Sequence, residues 1–296
     1  MVDFRYHALS LAAVLCALAV GVLVGIAIGD SSLVSSAQDG LVHKLRGEVR
    51  ETQHELKLSG QTLSEQQTLA DSLWPLAVHG LLQGRSIGIV FLGEPSNEID
   101  SLAQGAVRAA GGKVKAVLAV HEPLDASAMA KQLSGTRYAA LPSDPRLLGR
   151  LAQHLGGEIV SGGRLLERVR TQLLGSYDGQ VGQLEGVVVV RAQPTGMTGA
   201  QVSDSETLES GLLAGMLARG IPVVGVETSA GEPSQVPWYK SAGLSSVDDL
   251  QSVGGRTALA YALAGYRGAF GSKSSADAQL PSPASAPART CTASRC

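Results

Sequence analysis

The sequence predicts an α/β protein with an N-terminal transmembrane helix, a coiled-coil-like helix, and then a Rossmann-like parallel sheet covered by helices. A long uncharged segment opens the chain, apolar residues then recur at seven-residue spacing, and from residue 85 short apolar runs alternate with helical segments. We therefore expect a membrane anchor helix at 1–29, a helical or coiled-coil stalk at 30–75, an α/β domain at 85–268 and a disordered tail at 269–296.

The anchor is an uncharged run from Ala8 to Gly29. As a helix it would be about 33 Å long, which matches the ~30 Å hydrocarbon core of a bilayer. A cleaved signal peptide is the alternative, because Ala27 and Gly29 form a small-x-small site before Asp30. Signal h-regions are usually only ~7–15 residues long, so we favour an uncleaved membrane helix.

The charges around this run bear on its orientation. Arg5 before it and Asp30 after it favour a cytoplasmic N-terminus, although basic residues that follow within about 20 positions oppose this under the positive-inside rule. Cys291 and Cys296 are close enough in sequence for a disulfide, which would need an oxidising compartment, and free thiols are the alternative. We expect a single-pass cell-membrane protein with its N-terminus cytoplasmic and its α/β domain extracytoplasmic.

Small residues recur at four-residue spacing within the anchor and would form one ridge along a helix. Helices in lipid associate by close backbone packing, which such a ridge permits. A stripe produced by composition alone is the alternative, because glycine is common in membrane helices. We predict a helix-packing interface formed by Ala13, Ala17, Gly21, Gly25 and Gly29.

The stalk shows a heptad pattern in which one of the two seam positions is consistently apolar. The other seam position is apolar only at the two ends of the stalk, which indicates a coiled coil of modest strength. An amphipathic helix lying on the globular domain is the alternative. The predicted seam, which would join two copies of the chain into a homodimer, contains Val42, Leu45, Val49, Leu56 and Leu63.

The α/β domain begins where β-rich runs bounded by glycine and proline appear. Near-continuous apolar strands separated by helices predict a parallel sheet that is buried on both faces. A helix is expected from about Asn97 to Ala110, another from Asp144-Pro145, and a third near a Ser203–Glu206 capping-box spacing. The four predicted strands are "SIGIVFLG" (86–93), "KVKAVLAV" (113–120), "EGVVVV" (185–190) and "IPVVGVET" (221–228).

The motifs of nucleotide binding and of common enzymes are missing. The loop after the first strand reads "GEPSNEID", with an acidic residue and a single glycine where a phosphate cradle would lie. His121-Glu122 lacks the second histidine of a zinc-protease motif and is interpreted as a solvated strand end. Asp248-Asp249 fits either paired carboxylates or a turn before a helix. We predict no catalytic residues, no cofactor-binding residues and no cofactor, and we expect a protein that is not an enzyme.

Metal and nucleic-acid partners also find no support in the composition. The chain has 4 Met, 6 His and 3 Cys, and these soft-metal ligands are scattered rather than clustered, so we predict no metal-ligating residues. The net charge of −2 and the 4% aromatic content give neither a basic field nor stacking residues for nucleic acid. We expect the membrane, a second copy of the chain and an envelope protein as partners.

Three segments of the chain carry a family resemblance: "FRYHALSLAAVLCALAVGVLVG" at the N-terminus, the junction "LLQGRSIGIVFLG", and "GLSSVDDLQSVGGRTALAYALAGYRG". They resemble the MctB-type family of actinobacteria, which is named for a copper transport outer-membrane protein. The resemblance covers roughly residues 1–268. It implies a cell-envelope protein with a part in copper homeostasis or efflux, and copper as a partner is implied by this resemblance alone. A related branch of similar layout is associated with the cell septum and with control of cell-wall hydrolases.

Two functions therefore remain open. The first, implied by the resemblance, is copper handling by a membrane-anchored extracytoplasmic protein. The alternative is a dimeric envelope scaffold that presents its α/β domain to a cell-division or cell-wall hydrolase partner. A single apolar helix and strands that are apolar on both faces favour an anchored module over an outer-membrane barrel, whose strands alternate apolar and polar residues.

Overall fold

The computed structural model describes residues 4–28, 32–144 and 146–282. The chain forms two compact units that divide between Thr68 and Leu69. The first unit contains α1 (Phe4–Ile28) and most of α2 (Ser32–Val78). The α2 helix continues through Pro75, where the sequence pattern predicted the end of the stalk.

The second unit alternates strands and helices, as expected from the short apolar runs. Most helices begin with a side-chain cap: Ser96 caps α3, Asp125 caps α4 and Ser252 caps α9. The elements are β1 (Ser86–Gly93), α3 (Asn97–Ala109), β2 (Lys113–Val120), α4 (Ala126–Gln132), a 3₁₀ turn (Arg137–Ala140), α5 (Arg146–Ser161), α6 (Arg164–Leu173), β3 (Leu174–Gly179), β4 (Gly186–Ala192), α7 (Gly199–Leu217), β5 (Val223–Val226), α8 (Val236–Ser241), β6 (Ser245–Val247), α9 (Val253–Leu263) and β7 (Ala269–Phe270).

The strands form one seven-stranded sheet in the order β3-β2-β1-β4-β5-β6-β7. All neighbouring pairs are parallel except β2 and β3, which are antiparallel. The predicted α/β class with a parallel sheet covered by helices is confirmed, with β3 as an added antiparallel edge. The chain leaves β1 towards β2 on one side and returns to β4 on the other, so the strand order reverses between β1 and β4.

Apolar side chains cover both faces of this sheet. One face, here called face A, carries Val90 and Leu92 and packs against α4 to α8. The opposite face, face B, carries Ile89 and Phe91 and packs against α3, α9 and the segment around Val78. Because successive strand residues point to opposite faces, burial on both faces explains why these strands read as continuous apolar runs.

Glycines allow α5 and α7 to cross at backbone contact on face A. A Cβ at Gly156 would lie 2.0 Å from the carbonyl oxygen of Leu212, and one at Gly215 would lie 2.0 Å from that of Gln153. Real Cβ atoms do not approach backbone so closely, so any side chain at either position would push the helices apart. The close crossing fixes α7, which carries one residue of the candidate site.

The structure differs from the sequence expectations at several boundaries. The cap of α7 lies five residues before the predicted one, because Thr198 and Gln201 form the capping box and Ser203 lies inside the helix. The α5 helix starts at Arg146, whose N–H donates to Asp144, while Pro145 lies outside the described residues. The first two residues of the predicted tail, Ala269 and Phe270, form β7, which pairs with β6, and positions 283–296 of that tail lie outside the described residues.

Candidate functional site

The candidate site lies at the carboxyl ends of the parallel strands, beside the point where the strand order reverses. Ligands of open α/β sheets bind in this position, because the loops leaving adjacent strands separate there and leave a crevice. Two clefts are found at this edge. The Glu122 cleft, of about 330 Å³, follows β1 and β2, and the Arg191 cleft, of about 510 Å³, follows β4 and β5.

A polar layer replaces the apolar core of face A at this edge. Val120 and Val189 are the last apolar residues of their strands on face A, and Glu122 and Arg191 follow them at the same strand parity. Glu209 of α7 faces Arg191 from the covering helix. The carboxyl groups of Glu122 and Glu209 and the guanidinium of Arg191 therefore form a polar layer at this edge, where apolar side chains fill the rest of face A.

The side chain of Arg191 is held by Glu209, Gln235 and Trp238. Its Nε donates to both carboxylate oxygens of Glu209, at 2.9 and 3.0 Å, and its Nη1 donates to Oε1 of Gln235 at 2.8 Å. The guanidinium carbon lies 4.4 Å from the ring centroid of Trp238, in cation–π range. Gln193 adds a further bond to Glu209 at 3.2 Å. The side chains of Arg191 and Glu209 are 10% and 0% exposed, so this is a buried ion pair.

Tyr239 locks the end of β4 to β5. Its hydroxyl donates to the carbonyl oxygen of Val226 at 3.2 Å and accepts from the backbone N–H of Arg191 at 3.0 Å. The ring packs directly over Gly225, where a Cβ would lie 2.4 Å from ring carbons. Burial raises the pKa of Tyr239, which keeps the hydroxyl protonated as a donor.

Glu122 is the unsatisfied member of the layer. It is only 7% exposed, and neither of its carboxylate oxygens has a hydrogen-bond partner. The pKa of Glu122 is raised to about 8, mainly by burial and also by the charge of Glu209, while Arg191 opposes the rise. Burial likewise raises the pKa of Glu209 to about 7 against the opposing charge and hydrogen bonds of Arg191. The interpretation of Glu122 as a solvated strand-end residue is therefore wrong, whereas His121 beside it is exposed.

The buried carboxyl of Glu122 predicts an inverted pH dependence of stability. Its pKa is about 8 in the folded protein against 4.5 for the free group, so stability is full below pH 4.5 and is lost as pH rises towards 8. We expect the free energy of unfolding to fall by roughly 3 kcal/mol between pH 5 and pH 8 from this group alone. In Glu122→Gln, which cannot ionise, that fall should be largely absent.

Circular dichroism of the α/β unit during thermal unfolding, measured at several pH values in detergent, tests this. Glu98→Gln is a matched control, since Glu98 is exposed in the first turn of α3. Equal pH dependence in the wild type and in Glu122→Gln would show that Glu122 does not titrate as the structure indicates.

A second polar cluster beyond β5 and β6 is structural. Asp248, which is fully buried, accepts the backbone N–H groups of Ser272 and Lys273. The Lys273 ammonium donates to Glu227 at 2.8 Å. Asp248 therefore fixes the segment that follows β7, and the two carboxyl groups bond to different partners. Asp249 instead receives the hydroxyl of Ser252, the residue that caps α9.

The structure places the residues predicted for helix packing and for the seam on two separate helices. On α1, Ala13, Ala17, Gly21 and Gly25 are exposed, and a Cβ at either glycine would meet no atom within 4 Å. Gly29 lies outside the described residues. On α2 the side chain of Val42 also lies outside them, while the other predicted seam residues are exposed: Leu45, Val49, Leu56 and Leu63. Their roles in self-association stay predictions.

The polar layer was not predicted from the sequence, although part of its signal is local. Arg191 directly follows the run "GVVVV", and Glu122 lies two residues beyond the last apolar residue of β2. A charged residue at a strand position whose side chain points into the core indicates either a buried ion pair or a functional site. Glu209 gives a weaker signal, because acidic residues are frequent in helices and its burial depends on the crossing of α7 over face A.

Within the described ranges, no three or more His, Cys, Asp or Glu side chains gather in a way that could hold a metal ion. One helix in the same ranges, His7–Ala27, is long and apolar enough to cross a membrane. A family model described as "Copper transport outer membrane protein, MctB" matches residues 1–281. The match confirms the resemblance seen in the sequence and extends it past β7. No curated protein matches the chain.

Proposed function

We propose a role in copper homeostasis for this protein, because the chain belongs to the family of the copper transport outer membrane protein MctB. The membership supports a copper-transport-related protein of the cell envelope. More specifically, we propose a single-pass protein of the cell membrane, anchored by α1, with its N-terminus in the cytoplasm and its α/β unit on the extracytoplasmic side.

The observation that carries this proposal is the contrast between α1 and the sheet. Every side chain described between His7 and Ala27 is exposed, so this apolar helix has no core of its own to enter. The sheet, in contrast, is open, almost wholly parallel, and covered by helices on both faces. Transmembrane barrels are closed and antiparallel, so membrane association is assigned to the helix rather than to the strands.

The proposal assigns copper handling to the anchored protein as a whole, with neither a resident copper site nor a catalytic step in the α/β unit. Soft ligands favour copper when they cluster. The sulfur-bearing residues between positions 85 and 268, Met129, Met197 and Met216, are widely spaced in sequence, and two of them are buried in the core of face A. An effect on copper through the membrane or through a partner fits these positions better than a stoichiometric store.

Copper accumulation in cells tests the proposed function. A strain lacking the protein should retain more cell-associated copper and grow less well at high copper than the parent, and the full chain should restore both. A chain beginning at Ser32, exported by a cleavable signal, is the matched control and should restore neither. Normal copper content in the strain lacking the protein would refute the copper role, and full rescue by the unanchored chain would refute the anchor.

We also propose that two copies associate through α1 and α2. Replacing Gly21 and Gly25 by isoleucine should weaken self-association in a bilayer dimerisation assay and leave insertion intact, because the branched side chains would separate the helix backbones. Ala12→Ile with Ala19→Ile adds the same bulk to the opposite side of the helix and should have little effect. Equal loss in both double variants, or no loss in either, would show that the small-residue stripe is not the interface.

A further inference from the structure

The Glu122 cleft is a pocket that the copper role does not use. It opens at the carboxyl ends of β1 and β2 beside the antiparallel edge strand, and its lining includes Glu94, His121, Glu122 and Ser176. Its volume of about 330 Å³ is at the lower end of the range for small-molecule sites. Among the described residues that line it, two are acidic and none is Lys or Arg. The cleft is therefore suited to a small ligand that is not an anion.

The wall of this cleft contains the carboxyl group of Glu122, a hydrogen-bond acceptor that no donor reaches. Both carboxylate oxygens of Glu122 are buried and unpartnered, whereas the large majority of buried polar groups in proteins are hydrogen-bonded. An ionised carboxylate offers about four acceptor positions and no donor. The group that completes it must therefore bring N–H or O–H donors.

Three donor atoms of the polar layer already serve other acceptors. The Nε and Nη1 atoms of Arg191 donate to Glu209 and Gln235, and the amide of Gln193 donates to Glu209. Glu122 and Glu209 therefore share a layer with a single guanidinium that is bonded to only one of them. When both carboxyl groups are ionised, the layer lacks one positive charge.

We propose that the Glu122 cleft binds a small organic cation, a primary amine or a guanidinium, whose N–H groups donate to the carboxylate of Glu122. Such a cation supplies both the missing donors and the missing charge, and a charge-assisted hydrogen bond in a buried place is stronger than a neutral one. A metal ion would draw few ligands from the protein, because within the described ranges no three metal-ligating side chains converge. The proposal stands independently of the copper role.

Binding should be linked to proton release. The empty site holds Glu122 protonated at neutral pH, since burial raises its pKa to about 8, and the cation favours the ionised form. The charged or titratable groups around Glu122 include Glu94 after β1 and His121 after β2, which line the same cleft, and Arg191 of β4 and Glu209 of α7, whose charges act on it. We therefore expect affinity to rise with pH up to about 8 and then to level off.

Isothermal titration of the full chain in detergent tests the proposal, with agmatine, putrescine and methylguanidine as probes. Methylurea is the neutral counterpart of methylguanidine and should not bind. We expect one-to-one binding of at least one cation at pH 8. At pH 7, binding should also release the proton of the Glu122 carboxyl group to the buffer. Glu122→Gln should weaken binding about 10- to 100-fold, the loss expected for a charged hydrogen bond. Glu98→Gln, on an exposed turn, should leave it unchanged.

Three results would overturn the proposal. The first is no binding of any of the three cations at millimolar concentration at pH 8. The second is equal binding by the wild type and by a folded Glu122→Gln chain, judged by its circular dichroism melt. The third is equal binding of methylurea and methylguanidine, which would show that charge plays no part.

Discussion

Replacing Arg191 with methionine should lower the free energy of unfolding of the α/β unit by about 3–5 kcal/mol at pH 8. The variant keeps most of the side-chain volume but removes the guanidinium that donates twice to the fully buried Glu209. Two carboxyl groups, those of Glu122 and Glu209, would then be buried without a cation. Because burial raises the pKa of both, the loss should shrink at pH 5, where each can be neutral.

The matched control is Arg170→Met, which breaks an exposed pair. Arg170 lies 3.7 Å from Glu167, and both side chains are about half exposed, so its loss should cost at most about 1 kcal/mol. Combining Arg191→Met with Glu209→Gln should recover part of the lost stability, because the buried charge of Glu209 is then removed and only the carboxyl group of Glu122 stays without a cation in the polar layer. Chemical denaturation followed by circular dichroism measures all four proteins. A loss below 1 kcal/mol for Arg191→Met would show that the ion pair is not buried as described.

Leu56→Asp should convert a dimeric fragment of residues 32–282 into a monomer. Leu56 is 67% exposed within one chain and lies in the middle of the predicted seam on the continuous helix α2. In a paired seam it would be buried, and an unpaired buried carboxylate on each copy costs several kcal/mol. The second seam position is polar through the middle of the stalk, so the coiled coil should be only weakly stable. The charged variant should therefore dissociate, and multi-angle light scattering should report half the mass of the wild-type fragment.

Leu58→Asp is the control for this change. Leu58 is also exposed and apolar, but it lies two positions further along the helix and outside the seam. The same substitution there should leave the dimer intact. A wild-type fragment that is already monomeric, or dissociation caused equally by both substitutions, would contradict the predicted seam.

The sequence predicts the central strands well because strands that are buried on both faces have a recognisable apolar sequence. Both β1 and β2 coincide with their predicted ranges, since a strand covered on both faces is a continuous apolar run. The edge strand β3 was missed because most of its residues are exposed and its sequence "LGSYDG" carries no apolar pattern. The strands β6 and β7 are three and two residues long, too short to show a period.

Boundaries and the tail were harder to predict because competing signals occur close together. Ser203–Glu206 and Thr198–Gln201 both have capping-box spacing, and only the backbone of the folded chain selects the second. The segment after Gly268 has the composition of a disordered chain. It is nevertheless held by the buried carboxylate of Asp248, a partner 24 residues away from Ser272 in sequence.

The candidate site could be predicted only in part. The missing phosphate cradle after β1 is a local feature, and the loop there indeed presents exposed Glu94 and Pro95. The burial of Glu122, in contrast, depends on α7 and β4, which lie about 70 to 90 residues later in the chain. No spacing rule reports that Glu209 and Arg191 will meet beside it, because the meeting is set by the close crossing of α5 and α7.

The proposed topology holds the α/β unit on the extracytoplasmic side of the cell membrane by an uncleaved helix. Labelling with a membrane-impermeant maleimide tests it most directly, using Ser101→Cys in a chain whose own three cysteines are replaced by alanine. Ser101 is exposed on α3, so its thiol would be accessible from whichever side holds the unit. We predict labelling in cells stripped of their outer layers but with an intact cell membrane, and the labelled chain should stay in the membrane after alkaline extraction. Labelling that appears only after the cell membrane is broken, or labelled protein released by extraction, would contradict the account.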